Sequence, residues 1–180
     1  MATPEFIVQL RTKIGHDQLW LPGVVAIVLK DVPPGAPITA VPEVLLVKRK
    51  DSQQWTPITG LCEPGEQPHL SAIREVQEEV GVSVTVDALL GVGATEPMVH
   101  ANGDRTVQME TAVRCSVQSG TPHVADSEEI SDVRWFSVMQ VPAMAPRFRL
   151  MIGDAVAQLR HPAGFQPRMG FEKRTRMQRS

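Results

Sequence analysis

The sequence predicts a mixed α/β fold in a single domain of 180 residues. The main observation is the order of its apolar segments: strand-like runs come before and after a helix-like segment, and a second helix-like segment lies near the end. The composition agrees, because 42% hydrophobic and 21% charged residues are typical of a globular domain and exclude a collagen, a coiled coil or a wholly disordered chain.

Residues 1–20 predict a short amphipathic helix followed by a linker. Phe6, Leu10 and Ile14 recur at the spacing of one helical face, and Gly15 is a stop signal. The apolar face of such a helix must be covered, either by the body of the domain or by a partner subunit.

The domain body is expected over residues 21–160. Residues 31–42 contain four prolines and predict a long surface loop. Alternating apolar and polar residues from 105 to 117 predict a half-buried strand. The predicted elements are strands at 24–29, 44–47, 82–86, 89–94, 105–117 and 133–136, with helices at 68–80 and 146–160.

Several classes of protein are excluded by simple patterns. The longest apolar run, Val24 to Leu29, has six residues, so no membrane-spanning helix is expected. No secretory signal is visible, and the two cysteines, Cys62 and Cys115, lack metal-ligand spacing. We therefore expect reduced thiols and a cytoplasmic protein.

The charge is unevenly distributed along the chain. The net charge is −2, but residues 161–180 carry a net charge of +4. We expect this basic segment to be a disordered tail. It is too short and too poor in aromatic residues to predict nucleic-acid binding.

The chemistry is concentrated on the predicted helix at 68–80. Glu75, Glu78 and Glu79 are spaced i, i+3 and i+4, which brings their carboxylates to one face. Their mutual repulsion and their position near the helix C-terminus both destabilise a helix, so stability alone does not explain them. A cluster of hard oxygen ligands predicts a Mg²⁺ or Mn²⁺ site. Arg74 lies beside the cluster and can hold one carboxylate, and Glu66 lies eight residues upstream.

This segment resembles the box of the Nudix hydrolase family, G-x5-E-x7-R-E-U-x-E-E-x-G-U, in which U is a bulky aliphatic residue. Every defined position is filled, by Gly60, Glu66, Arg74, Glu75, Val76, Glu78, Glu79, Gly81 and Val82. The resemblance implies a Nudix-type α/β/α sandwich with a mixed sheet, to which the short N-terminal helix is added. It also implies metal-dependent cleavage of a diphosphate linkage in a nucleoside diphosphate joined to another group.

Carried onto this chain, the resemblance makes the helix glutamates the metal carboxylates, with the backbone carbonyl of Thr59 as a further ligand to Mg²⁺ or Mn²⁺. Glu66 and Arg74 organise this set. The loop departs from the common Pro-Gly-Gly of the family, because Ile58 and Thr59 precede Gly60. A carbonyl ligand does not depend on the side chain, so the departure leaves Thr59 as a candidate.

The general base remains open between two positions that the resemblance allows. One is a glutamate of the box. The other is a glutamate on a loop before the final strand, where Glu128 and Glu129 lie. Glu110, on the less apolar face of its strand, is a third candidate.

Candidate substrate-binding residues lie on both sides of the box. Arg49, between Lys48 and Lys50 at a strand end, is placed to meet phosphates. Trp55 either stacks on a nucleobase or packs in the core, and Trp20 has the same two interpretations.

Pro97 lies fifteen residues beyond the box. A proline there resembles the ADP-ribose pyrophosphatase branch, so ADP-ribose or a nucleotide sugar is the favoured substrate, with residues 98–105 as a lid over the terminal ribose. Nucleoside triphosphates, including oxidised ones, and dinucleoside polyphosphates are alternatives, as is a non-catalytic nucleotide-binding module. Family members are often dimers, so a homodimer is expected.

Overall fold

The structure is a computed structural model and describes residues 4–171 apart from residues 38 and 101. The predicted segments occur in the predicted order, and four short strands that were not predicted, at 55–56, 58–61, 98–99 and 168–169, are added to them. In chain order they are α1 (Glu5–Ile14), β1 (Leu19–Lys30), β2 (Glu43–Arg49), β3 (Trp55–Thr56), β4 (Ile58–Leu61), α2 (Pro68–Val80), β5 (Ser83–Ala94), β6 (Met98–Val99), β7 (Arg105–Ser119), β8 (Ile130–Ser137), α3 (Pro146–Arg160) and β9 (Arg168–Met169).

A mixed sheet forms the centre of the molecule. Its main path runs β3-β2-β1-β7-β5-β9, while β4 pairs with β1, β6 with β7 and β8 with β2. β1 and β7 are parallel over eleven residue pairs, whereas β1 is antiparallel to both β2 and β4. β4 pairs with the centre of β1, and both strands contact α2.

Two apolar clusters on opposite faces of the sheet make it the middle layer of an α/β/α sandwich. Alternate residues of β1 divide between them: Val24 packs in the cluster that contains Val76 of α2, and Val25 packs in the cluster that contains Ile152 of α3. A strand that is covered on both faces carries a continuous apolar run, which explains the pattern from Val24 to Leu29. The predicted fold class is confirmed.

One strand replaces the two predicted at 82–86 and 89–94. β5 is continuous from Ser83 to Ala94, and its register against β7 shifts between Val86 and Ala88 and again between Leu89 and Gly91. Each bulge changes which side chains face the core, so the alternation that marks a strand is interrupted in the sequence.

The segment after α3 differs from the expected disordered tail. Residues 162–164 form a turn of 3₁₀ helix, and β9 pairs in parallel with β5. Phe171 is buried in the cluster beside α3, where its ring packs over Gly93. The sequence does not predict that this segment is ordered, because only one short strand and one aromatic ring attach it to the domain. The remaining residues, 172–180, lie outside the part that the structure describes.

The helix α1 packs on its own domain. Ile7 is buried, and Arg11 donates a hydrogen bond of 2.9 Å to the carbonyl of Arg105 at the start of β7. The expected homodimer stays a prediction. Trp20 is 59% exposed at the start of β1 and therefore does not pack in the core. Within residues 4–171, as described, no helix has the length and hydropathy needed to cross a membrane.

Candidate active site

The helix α2 is held at both ends by features of the sequence. Pro68 occupies its first turn, where a missing N–H costs nothing, and Gly81 ends it with a left-handed φ of 69°. The loop after β7 closes over this end, because His123 N donates to the carbonyl of Val80 and Ala125 N to that of Glu79. The loop that precedes β8 is thereby attached to the end of α2 that carries the glutamates.

The three helix glutamates do not share one environment. Glu75 and Glu79, one turn apart, are each only 1% exposed, whereas the side chain of Glu78 is 51% exposed. Glu75 and Glu79 point into the body of the protein and Glu78 lies at the rim, although Arg74 Nη1 binds both Glu75 and Glu78. The spacing i, i+3, i+4 spreads over more than a single line of the helix surface, and the sheet covers only part of it.

Arg74 joins the glutamates to the loop that precedes the helix. Its Nη1 donates to Glu75 Oε1 at 2.9 Å and to Glu78 Oε2 at 3.2 Å, and its Nε donates to Glu66 Oε1 at 3.0 Å. Its Nη2 donates to Glu66 Oε2 at 2.8 Å and to the carbonyl of Leu61 at 3.0 Å. Hydrogen bonds from Arg74 lower the pKa of Glu66 to about 2. One guanidinium thus fixes the loop, its carboxylate and the helix in one arrangement.

A second arginine connects the helix to the loop before β8. Arg49 Nη1 donates to Glu79 Oε1 at 2.9 Å, and Arg49 Nη2 donates to Glu129 Oε2 at 2.7 Å. Glu129 is partly buried, whereas its neighbour Glu128 is exposed. Arg49 was expected to meet phosphates directly; in the structure its two terminal nitrogens bind carboxylates.

Burial governs the ionisation of the two inward glutamates. Desolvation raises the pKa of Glu75 to about 7 against the opposing effect of Arg74, and it raises the pKa of Glu79 to about 7 against that of Arg49. Neither guanidinium fully compensates the lost hydration, so these carboxylates favour an additional positive charge nearby.

The donor set fits a divalent cation. Glu75 and Glu79 each have one carboxylate oxygen, Oε2, that is buried without a hydrogen-bond partner among the described residues. Such oxygens are costly to bury unless another group compensates them. Residues 4–171, as described, contain no group of three acidic, histidine or cysteine side chains that already converges as a ligand set.

Gly60 lies close to Glu75. Together with Thr59, Glu75 and Glu79 it forms a site that we call the cradle. A Cβ added to Gly60 would lie 2.0 Å from Cδ of Glu75, so only glycine allows β4 to pass this close to the helix. Thr59, whose carbonyl is the candidate backbone ligand, precedes it on β4.

A cavity of about 440 Å³ extends from this cradle to the N-terminal helix. Its inner end is formed by Thr59, Gly60, Arg49 and Glu129. Its outer end is built from α1, β7 and the turn between β6 and β7, with the lining residues Pro4, Ile7, Arg11, His100, Asn102, Asp104, Thr106 and Gln108.

A set of polar contacts attaches the β6–β7 turn to α1. Asp104 Oδ1 lies 2.8 Å from His16 Nδ1 and 3.3 Å from Arg11 Nε. His100 Nε2 lies 2.9 Å from Thr106 Oγ1. The loop at 98–105 was predicted as a lid, but none of these side chains was singled out. They are single polar residues without a spacing that marks a site, and only the fold brings them together.

Comparisons with known proteins identify the family of the chain. The family model of the NUDIX domain matches residues 24–155. The chain belongs to the NUDIX domain family. It is 30% identical over 113 residues to a "Putative 8-oxo-dGTP diphosphatase" of Bacillus subtilis (strain 168). The aligned segment covers 62% of this chain and 70% of the relative. It is equally identical over the same length to a "MutT-like protein" of Streptomyces ambofaciens, covering 62% and 67%.

Solved structures show the same fold. A UDP-X diphosphatase superposes with a TM-score of 0.61 at 19% identity, covering 92% of this chain and 73% of that one. A MutT NUDIX hydrolase from Burkholderia pseudomallei superposes with a TM-score of 0.52 at 22% identity, covering 76% and 98%. The chain is a Nudix hydrolase, and α1 lies before the residues that the family model matches.

Three predicted residues of this Nudix hydrolase lie away from the cavity. Trp55 packs edge-on against Phe136 with ring centroids 4.9 Å apart, so the packing interpretation holds. Pro97 is exposed in the turn between β5 and β6 and is not part of the cavity lining. Glu110 is buried on the α3 side, where Arg147 Nε donates to it at 3.0 Å. The structure thus places Glu110 in an ion pair with α3 and outside the lining of the cavity.

Proposed function

We propose that this Nudix hydrolase uses Mg²⁺ or Mn²⁺ to cleave a diphosphate linkage in a nucleoside diphosphate that is joined to another group. The single observation that carries this proposal is a pair of buried oxygens, one on Glu75 and one on Glu79, that have no hydrogen-bond partner among the described residues; they lie one helical turn apart beside Gly60. Buried carboxylates that lack partners are what a site for a hard divalent cation requires.

The candidate ligands are the carboxylates of Glu75 and Glu79, the carbonyl of Thr59, and Glu78 at the rim. A bound cation would neutralise the diphosphate and lower the pKa of an attacking water. Arg74 and Glu66 hold the glutamates in position, since they bond to the helix and to its preceding loop at once.

Glu129 is the favoured general base. It lies on the loop that is anchored to the end of α2, it lines the cavity, and Arg49 fixes one of its oxygens at 2.7 Å from Nη2. Its role is to accept the proton of the attacking water, which a carboxylate held within reach of the site can do. Glu128 is exposed and lies outside the lining, so it is the weaker candidate.

The favoured substrates are ADP-ribose and nucleotide sugars. The cavity supports this choice because no phenylalanine, tyrosine or tryptophan is among its described lining residues, whereas Asn102, Asp104, Thr106 and Gln108 are. Hydroxyl-rich groups are matched by such amide, carboxylate and hydroxyl side chains. Pro97, the sequence feature that first suggested these substrates, makes no contribution to this cavity.

Oxidised nucleoside triphosphates are the second candidate. Two similar proteins point this way, since one is named a putative 8-oxo-dGTP diphosphatase and the other a MutT-like protein. A homodimer and a cytoplasmic location complete the proposal.

The experiment is a substrate panel with Mg²⁺ and Mn²⁺ that contains ADP-ribose, other nucleotide sugars, dinucleoside polyphosphates, and normal and oxidised dNTPs. We expect one class to be hydrolysed well above the others, and Glu79→Gln to abolish turnover while the fold is retained. Uniform inactivity of the wild-type chain would favour a nucleotide-binding module. Full activity of Glu79→Gln would show that the glutamates do not form the metal site.

A further inference from the structure

Gln108 lines the cavity beside Asn102, Asp104 and Thr106, whose side chains bond to one another or to neighbouring residues. Its backbone is fixed, because Thr95 N donates to its carbonyl at 2.9 Å and its own N–H donates to Thr95 Oγ1 at 3.0 Å. Its side-chain amide forms no hydrogen bond with any other described residue, although it lines the cavity. A rigid backbone therefore presents a free donor and a free acceptor to the cavity.

The position of this amide is set by Gly23 on β1. A Cβ added to Gly23 would lie 2.8 Å from Gln108 Oε1 and 3.5 Å from the carbonyl of Gly60. The absence of a side chain at Gly23 leaves space for the amide beside β4, the strand that carries Thr59 and Gly60. Gln108 thus extends its amide from β7, at the outer end of the cavity, towards β4.

We propose that Gln108 is a specificity-determining residue, whose amide binds the part of the substrate that is not phosphate. The inference rests on the proposed function and adds the residue that reads the nucleoside or the attached group. An amide presents one acceptor and two donors, which suits a sugar hydroxyl or a nucleobase edge. Phosphate oxygens only accept hydrogen bonds, and they are expected to bind the cation. They therefore make less use of an amide that both donates and accepts.

The test compares Gln108→Leu with the matched control Gln118→Leu. Both substitutions lie on β7, but Gln118 is exposed ten positions further along and outside the cavity lining. We expect Gln108→Leu to raise KM for the preferred substrate about tenfold, the usual effect of losing one hydrogen bond, with a smaller change in kcat. Competition by inorganic pyrophosphate is expected to be unchanged, because this probe has neither sugar nor base.

The outcomes separate this inference from the proposed function. If Gln108→Leu matches the wild type in KM for every substrate while turnover persists, the inference is wrong and the function stands. If the wild type hydrolyses nothing in the panel, the function is wrong, and calorimetric titration with the same nucleotides decides the inference: weaker binding by Gln108→Leu supports it, and equal or absent binding overturns it. Gln108→Asn, which keeps the amide one methylene shorter, replaces Gln108→Leu if the latter fails to fold.

Discussion

The Cα of Gly60 lies against the carboxylate of Glu75 so closely that a methyl group on it would be 2.0 Å from Cδ of Glu75. Gly60 is not among the glycines with positive φ, so its backbone is open to other residues. The requirement for glycine at this position is one of space. It lets β4 bring Thr59 next to the buried face of α2.

Gly60→Ala is therefore expected to disrupt the site rather than the turn. The added methyl must push Glu75 or β4 aside, and a displacement of about 1 Å in a catalytic site costs about 100-fold in rate. We expect a loss of kcat/KM of about this size, measured on the preferred substrate, together with a lower midpoint of thermal unfolding.

Gly153→Ala is the control for this substitution. Gly153 is exposed within α3 and a Cβ there would have no neighbour within 4 Å. We expect unchanged activity and a gain in stability of about 0.5–1 kcal/mol, because alanine favours a helix over glycine. Equal behaviour of the two variants would show that the contact with Glu75 has no role.

The pair Glu128 and Glu129 offers a direct test of the general base. Glu129→Gln is expected to lower kcat on the order of 100-fold and to remove the acidic limb of the pH–rate profile, since an amide cannot accept the proton. Glu128→Gln, at an exposed neighbouring position, is expected to retain the profile. If Glu128→Gln lost activity and Glu129→Gln retained it, the general base would be Glu128. If both variants retained activity, the general base would be a glutamate of the box.

Acid stability tests the contact between Arg74 and Glu66. Hydrogen bonding to Arg74 lowers the pKa of Glu66 from 4.5 to about 2 in the folded protein. A carboxyl with a lowered pKa stabilises the fold above its unfolded pKa and loses this contribution as the pH falls through the folded value. The stability difference between wild type and Glu66→Gln should therefore be full above pH 4.5 and decline towards pH 2.

Urea unfolding at a series of pH values measures that difference. Glu63→Gln serves as the control, because Glu63 is exposed in the same loop and its side chain binds none of the described residues. We expect Glu63→Gln to change the stability little, because no contact of its side chain with a described residue is lost. A stability difference for Glu66→Gln that stays constant over this pH range would contradict the role of Arg74.

Phe171 tests the contribution of the segment after α3. Its ring is buried against Gly93 on β5, so Phe171→Ala is expected to destabilise the fold by about 3 kcal/mol, as large-to-small core substitutions do. Met169→Ala, at an 89% exposed position of β9, is expected to change stability little. If Met169→Ala lowered the unfolding midpoint and Phe171→Ala did not, this segment would not be part of the core.

The parts of the site that the sequence predicts are those that repeat at a fixed spacing. Glu75, Glu78 and Glu79 recur on a helix, and helical spacing is local, so their proximity follows from the chain itself. Which of them is buried does not follow, because that depends on how β4 and Gly60 lie across the helix.

Contacts between distant segments are the parts that the sequence does not reveal. Arg49 and Glu129 are eighty positions apart and are joined only because β2 pairs with β8. His16 and Asp104 are likewise brought together by the packing of α1 against the β6–β7 turn. No periodicity marks such residues, and their neighbours supply no pattern.

The two arginines of the site are outnumbered by the carboxylates that they bind. Arg74 and Arg49 together contact Glu66, Glu75, Glu78, Glu79 and Glu129. Three more carboxylates than guanidiniums therefore meet here among the described residues. If the site binds Mg²⁺ or Mn²⁺ as proposed, a nucleotide, whose diphosphate is itself negative, is expected to meet less repulsion once cations are bound. We therefore expect cations to bind before the nucleotide or together with it.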